Sequence, residues 1–240
     1  MKWPMRWSGD LAARPAEVEQ TEVNVGVGSA HLKAHVLRPV APLAAVICAH
    51  PGATHELPPH EYELAHMLGA AGFATMLVGL ATPEEHQLRM HLDVPLLAER
   101  LITLTRWLSA SGASAQLPLG YLGVGDAAAS ALVATAMDPH QVLALVARSS
   151  RPERAGMSLM LTRAPTLFIV GEDQSVETVA NRVACRLAPH ARLEVVPSVR
   201  GEAGGVPPGL ALSAAWFARW LSPGQTNAWV DGVTRSPLGA

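Results

Sequence analysis

From residue 44 onward the chain alternates short, almost wholly apolar runs with stretches of helical periodicity, and this alternation limits the fold more than any other feature. The runs AAVICAH (44–50), ATMLVGL (74–80), LGYLGV (119–124), VLALVAR (142–148), TLFIVGE (166–172) and RLEVVP (192–197) read as strands. Helical patterns fall between them at 59–71, 93–110, 126–137, 175–188 and 208–221. Strands that lack polar alternation are those covered on both faces, as parallel strands are. Two earlier runs, TEVNVGV (21–27) and AHLKAHVLR (30–38), do alternate polar and apolar residues and predict a half-exposed antiparallel hairpin. The expected architecture is therefore α/β: an eight-stranded, mostly parallel sheet with an antiparallel N-terminal hairpin and helices on both faces. In such doubly wound sheets the functional loops lie at the carboxyl ends of the strands.

A chain of 240 residues, 49% of them hydrophobic, buries one large core, so one domain over residues 1–221 is expected. The stretch 222–240 has turn formers and no periodicity and is expected to be a poorly ordered tail. A formal net charge of −2, with 18 scattered Lys and Arg, gives no field for nucleic acid. No run reaches the length of a membrane span, and the first residues lack the apolar segment of a signal peptide, so neither membrane nor export is expected. The two cysteines, Cys48 in an apolar run and Cys185 in a helical pattern, read as buried free thiols, which fits a reducing, cytoplasmic setting.

The stretch GYLGVGDAAASALVA (120–134) is a strand, a tight glycine turn and a small-residue helix. Many α/β enzymes place a nucleophile at such a junction. With the segments VICAHPGATHELPPHEYELAHMLGAAGFATMLVGLATPEE, LDVPLLAERL, ARSSRPERAG and APTLFIVGEDQSV, it makes residues 44–221 resemble the dienelactone-hydrolase-like branch of the α/β-hydrolase superfamily. The resemblance implies a serine in a G-x-S-x-G nucleophile elbow, an acid after a later strand and a histidine after the last one. Laid on that scheme, LGVGDAA puts Gly123 at the first glycine, Gly125 at the nucleophile and Ala127 at the closing small residue. VGEDQSV puts Gln174 at the acid, and SVRGEAGGVPPG puts Gly201, beside Arg200, at the histidine. None of the three carries the group that serine acylation needs, and these groups act as a unit.

Other residues bear on the same site. Asp126, directly after the elbow, would oppose an oxyanion there. Pro51 in HPGA removes a backbone donor on the other side. Arg148 and Arg200 are expected to converge on Asp126, chiefly as an internal ion-pair network, otherwise as an anion site. His50 is expected to orient the loop over the elbow. The candidate pocket comprises His50, Pro51, Gly52, His55, Asp126, Arg148 and Arg200. Ser130 is expected to be packed inside its helix.

Three functions follow, in order. The first is a pseudo-hydrolase that binds a small molecule or a protein. The second is an active hydrolase of an ester or lactone with displaced residues near Asp126, including Asp126 as a carboxylate nucleophile. The third is an NADP-binding oxidoreductase, suggested by Gly123, Gly125 and Ala128 as G-x-G-x-x-A before RSSR. His50, His55, His60 and His66 fall within 17 residues. They straddle a strand end, a Pro-rich loop and a helix without a metal-ligand spacing, so no metal and no cofactor are expected; His55, His60, and His86 and His91 in the next crossover, are expected chiefly as solvent-facing loop histidines, otherwise as pocket lining. A homodimer is compatible with the two-Trp helix AAWFARW.

Overall fold

The structure is a computed structural model that describes residues 18–88, 90, 92–111, 117–139, 141–197 and 207–222. Strands β1 (Val18–Val27) and β2 (Ala30–Pro39) form the antiparallel hairpin, with Val18 opposite Pro39 and Val27 opposite Ala30. β2 also lies antiparallel to β4 (Phe73–Ala81), which runs parallel to β3 (Ala44–Ala53). β5 (Leu119–Val124), β6 (Val142–Arg148), β7 (Thr166–Gly171) and β8 (Ala191–Val196) continue the parallel sheet in the order β1-β2-β4-β3-β5-β6-β7-β8.

Among the described residues the α-helices are α1 (Pro59–Ala70), α2 (Pro83–Gln87), α3 (Val94–Ser109), α4 (Asp126–Met137), α5 (Ser158–Leu161), α6 (Ser175–Leu187) and α7 (Pro208–Leu221). The continuous apolar runs are explained by two cores, one on each side of the sheet. In β3, Ala45, Ile47 and Ala49 face the core built with Leu97, Leu101 and Leu104 of α3 and Leu132 of α4. Ala44, Val46 and Cys48 face the core built with Leu64 and Leu68 of α1 and Phe217 of α7. Successive side chains point to opposite faces, so a strand covered on both must be apolar throughout. α7 turns Trp216 and Phe217 inward, and the Trp216 indole N–H donates to the Pro165 carbonyl at 3.3 Å.

The five long helices and eight strands fall where the periodicity places them. Two short helices do not announce themselves by periodicity, because neither completes two turns. One of them, α2, has another signal: Thr82 accepts from the Glu85 N–H while the Glu85 carboxylate accepts from the Thr82 N–H, a reciprocal capping box legible in the residues TPEE. The proposed tail lies outside the described residues from 223 onward. No helix among the described residues is long and apolar enough to cross a membrane.

Candidate functional site

β5 ends at Val124 and α4 begins at Asp126, so Gly125 alone reverses the chain, with φ +58° and ψ −125°. Side chains rarely adopt this conformation, and the turn has the tight strand-to-helix form that the resemblance expects of a nucleophile elbow. The Gly125 N–H donates to the Arg148 carbonyl at 3.0 Å, tying the turn to the end of β6. Gly123 serves a different need. A Cβ there would stand 2.5 Å from the Ala128 Cα, so only glycine lets α4 start this close to the strand. At Gly125 the nearest atom to an added Cβ is the Pro51 Cγ at 3.8 Å. The elbow backbone is present and has space for a side chain it does not carry.

Gln174, where the resemblance places the acid, turns back on its own loop. Its Oε1 accepts from the Gly171 N–H at 3.1 Å and from the Ser149 hydroxyl at 3.3 Å. Ser149 itself has φ 45°, an uncommon conformation for a residue with a side chain. Gly201, where the resemblance places the histidine, and its neighbour Arg200 lie outside the described residues, as does His91.

The expectation that Arg148 turns to Asp126 is corrected. Arg148 donates to both oxygens of Glu61 on α1, at 3.0 and 3.1 Å. Asp126 pairs instead with Arg154, from the 3₁₀ turn Pro152–Ala155. The reason is direction. Successive strand residues alternate faces, and Arg148 at the end of β6 leans to the α1 side, whereas the turn after β6 brings Arg154 to the start of α4. Arg154 also neutralises much of the field by which Asp126 would oppose an oxyanion. The other carboxylate oxygen of Asp126 is buried and makes no hydrogen bond.

Glu61, like Arg154, is a charged residue that the sequence reading does not single out. It is 1% exposed, and besides Arg148 it has the imidazole Nε2 atoms of His50 and His60 at 3.5 and 3.2 Å. Burial alone would raise its pKa, but the His50 imidazole beside it and the Arg148 and His60 charges outweigh it and hold the carboxyl below its ordinary value. In sequence it is only an acid in the first turn of a helix, where a dipole-complementing surface carboxylate is the ordinary expectation. At the end of β3, the buried His50 Nε2 lies beside Glu61 without a hydrogen bond. His55 stands 3.9 Å from Glu56, and His86 pairs with the same Glu56. Among the described residues, no group of three or more His, Cys, Asp or Glu is arranged to hold a metal ion. Cys48 is buried, with a thiol pushed up by burial and by Glu61, so it offers no thiolate. Ser130 is fully buried and donates to the Asp126 carbonyl at 3.0 Å.

Beside the elbow lies a cleft of about 320 Å³ lined by Pro51, Ala81, Glu85, His86, Leu97 and Asp126, among others. Of the proposed pocket residues it takes in Pro51 and Asp126. Gly52 lies at its margin, where an added Cβ would stand 3.5 Å from the His86 Nδ1. Arg148 is not among its lining residues.

The structure superposes on the crystal structure of a dienelactone hydrolase from Anabaena variabilis with a TM-score of 0.78 and 32% identity, over 85% of this chain and 99% of the other. The chain belongs to the dienelactone hydrolase family. A further solved structure, the esterase domain of a Rhodothermus marinus protein, has a TM-score of 0.63 and 16% identity over 85% of this chain and 100% of that one, a likeness of fold alone. Two proteins from strains of Mycobacterium tuberculosis, each named "Putative phosphoribosyl transferase", are 38% identical over 224 residues. That match takes in 91% of this chain, which spans about half the length of those curated relatives (50%). No family model matches the chain. Within the dienelactone hydrolase family the glycines of G-x-G-x-x-A are accounted for as the elbow between β5 and α4.

Proposed function

We propose that this chain is a member of the dienelactone hydrolase family that has lost serine hydrolysis and keeps the fold as a binding module for a small molecule or a protein partner. One observation carries this reading: Gly125 holds the torsions of a nucleophile elbow while contributing no nucleophile. A hydroxyl must attack, an imidazole must take its proton and a carboxylate must orient the imidazole. Gly125, Gln174 and Gly201 supply none of these. Gln174 is instead occupied in closing its own turn, and Pro51 removes an oxyanion donor.

A second reading, hydrolysis by displaced residues, is favoured by the unbonded oxygen of Asp126 beside the cleft. Against it, the other oxygen of Asp126 is held by Arg154, which ties down a would-be nucleophile. The phosphoribosyl transferase named for the mycobacterial relatives is assigned here to the half of those proteins that this chain does not match, since the matched half corresponds to a hydrolase fold. Free thiols at Cys48 and Cys185 support a reducing, cytoplasmic setting.

The test is activity-based labelling together with turnover of activated esters. The purified chain is expected to show no stoichiometric serine adduct with a fluorophosphonate and no hydrolysis above background. One labelled serine, or an ester intermediate on Asp126 seen by mass spectrometry, overturns the loss of hydrolysis.

A further inference from the structure

Among the described residues β8 pairs only with β7, leaving its outer edge open. The Thr166 N–H donates to the His190 carbonyl and the Glu172 N–H to the Val196 carbonyl. Even-numbered residues of β8 therefore turn their backbone groups toward β7, and Ala191, Leu193 and Val195 turn theirs outward. Beside this edge runs α6, which exposes Val176 (77%), Val179 (60%), Val183 (50%) and Leu187 (45%). At 3.6 residues per turn these four share one flank, roughly opposite Asn181. Asn181 is buried and donates to the Ser150 carbonyl at 2.9 Å on the sheet-centre side, so the apolar flank looks out past β8. Val195, on the same sheet face as Leu193, extends it and is 45% exposed. Arg192 and Glu194 point to the opposite face, where they line a small cavity with Trp216.

We propose that two copies of this chain associate through a two-fold axis at Leu193, pairing β8 with β8 antiparallel and α6 with α6. The charge pattern selects both the occupant and the register. A two-fold perpendicular to the sheet keeps each face on its own side, as the matching apolar flanks of α6 require. With the axis at Leu193, the outward backbone groups of Leu193 meet those of the second Leu193, and Ala191 meets Val195. Arg192 then stands directly opposite Glu194 of the second copy, twice, at the closer non-hydrogen-bonded spacing. Moving the axis one residue either way sets Arg192 against Arg192 or Glu194 against Glu194, which is repulsive. β8 and α6 are each about 20 Å long. With a helix on each side of the sheet the edge offers on the order of 600 Å² per copy, somewhat under the ~800 Å² of an ordinary specific interface, so a reversible dimer is expected.

Sedimentation equilibrium on the full 240-residue chain tests this. The chain is expected to show a reversible monomer–dimer equilibrium. Glu194→Arg should raise the dimer Kd about tenfold or more, because both cross-strand pairs become Arg facing Arg. Arg192→Glu combined with Glu194→Arg should restore it, since the swap is again self-complementary. Val183→Glu, on an exposed position of α6, should weaken the dimer without lowering the Tm, which separates loss of contact from loss of fold. A chain that stays monomeric at the highest concentration it tolerates, as when its own C-terminal residues occupy the edge, overturns the proposal. So does a dimer whose Kd none of these variants moves.

Discussion

Arg148, the last residue of β6, and Glu61, in the first turn of α1, are joined through one guanidinium nitrogen 3.0 and 3.1 Å from the two carboxylate oxygens, 87 residues apart in the chain. The carboxylate side chain is 2% exposed and the arginine 15%. This pair, with His50 and His60, fixes α1 to the carboxyl end of the sheet directly behind the elbow.

Removing one partner of a buried pair leaves the other charge desolvated and uncompensated. Glu61→Ala is therefore expected to cost about 3–5 kcal/mol, measured by urea denaturation at neutral pH. Because Glu61 has a lowered folded-state pKa, its contribution is complete above the ordinary carboxylate range near ~4.3 and is lost as pH falls through its lower folded value. Glu61→Gln should therefore flatten the fall in stability over that acid window. An unchanged profile would show that the pair does not contribute to the pH dependence.

The two elbow glycines should respond differently to a methyl group. Gly123→Ala drives a Cβ to 2.5 Å from the Ala128 Cα and 2.7 Å from the Ala127 carbonyl oxygen, so α4 must move; a loss of about 3 kcal/mol or more is expected. Gly125→Ala meets nothing nearer than 3.8 Å and pays only for its positive φ, about 1–3 kcal/mol. Thermal melts of the two variants give the order directly.

Gly125→Ser alone is expected to yield no efficient esterase, since the hydroxyl would have no base to take its proton. Gly125→Ser with Gln174→Asp and Gly201→His should recover a small, pH-dependent turnover of activated esters. Rapid turnover by the single variant would reveal a base and an acid already in place.

The thiols should also separate. Burial pushes the Cys185 thiol up to about 11, and Cys48 is raised by burial and by the nearby Glu61 against a smaller opposing effect of Arg148. A thiol reagent near pH 8 should modify Cys185 slowly and Cys48 only after denaturant is added.

The positions of the strands and long helices were legible from residue order because each is local: a period of two or 3.6, or an unbroken apolar run where a strand is covered on both faces. The elbow was legible for the same reason, since Gly123 and Gly125 meet demands set within five residues of chain. What only the tertiary structure decided is which charges meet. Arg148 finds Glu61 rather than Asp126, and Asp126 finds Arg154, because the partner is set by the face of the sheet to which a side chain points and by the loop that crosses there. Glu61 reads in one dimension as an ordinary first-turn acid, and in the fold it is buried beside His50 at the end of β3 and Arg148 at the end of β6. The edge of β8, open among the described residues, and the apolar flank of α6 beside it exist likewise only once the strands have taken their order, since an edge is a property of the sheet and not of the strand.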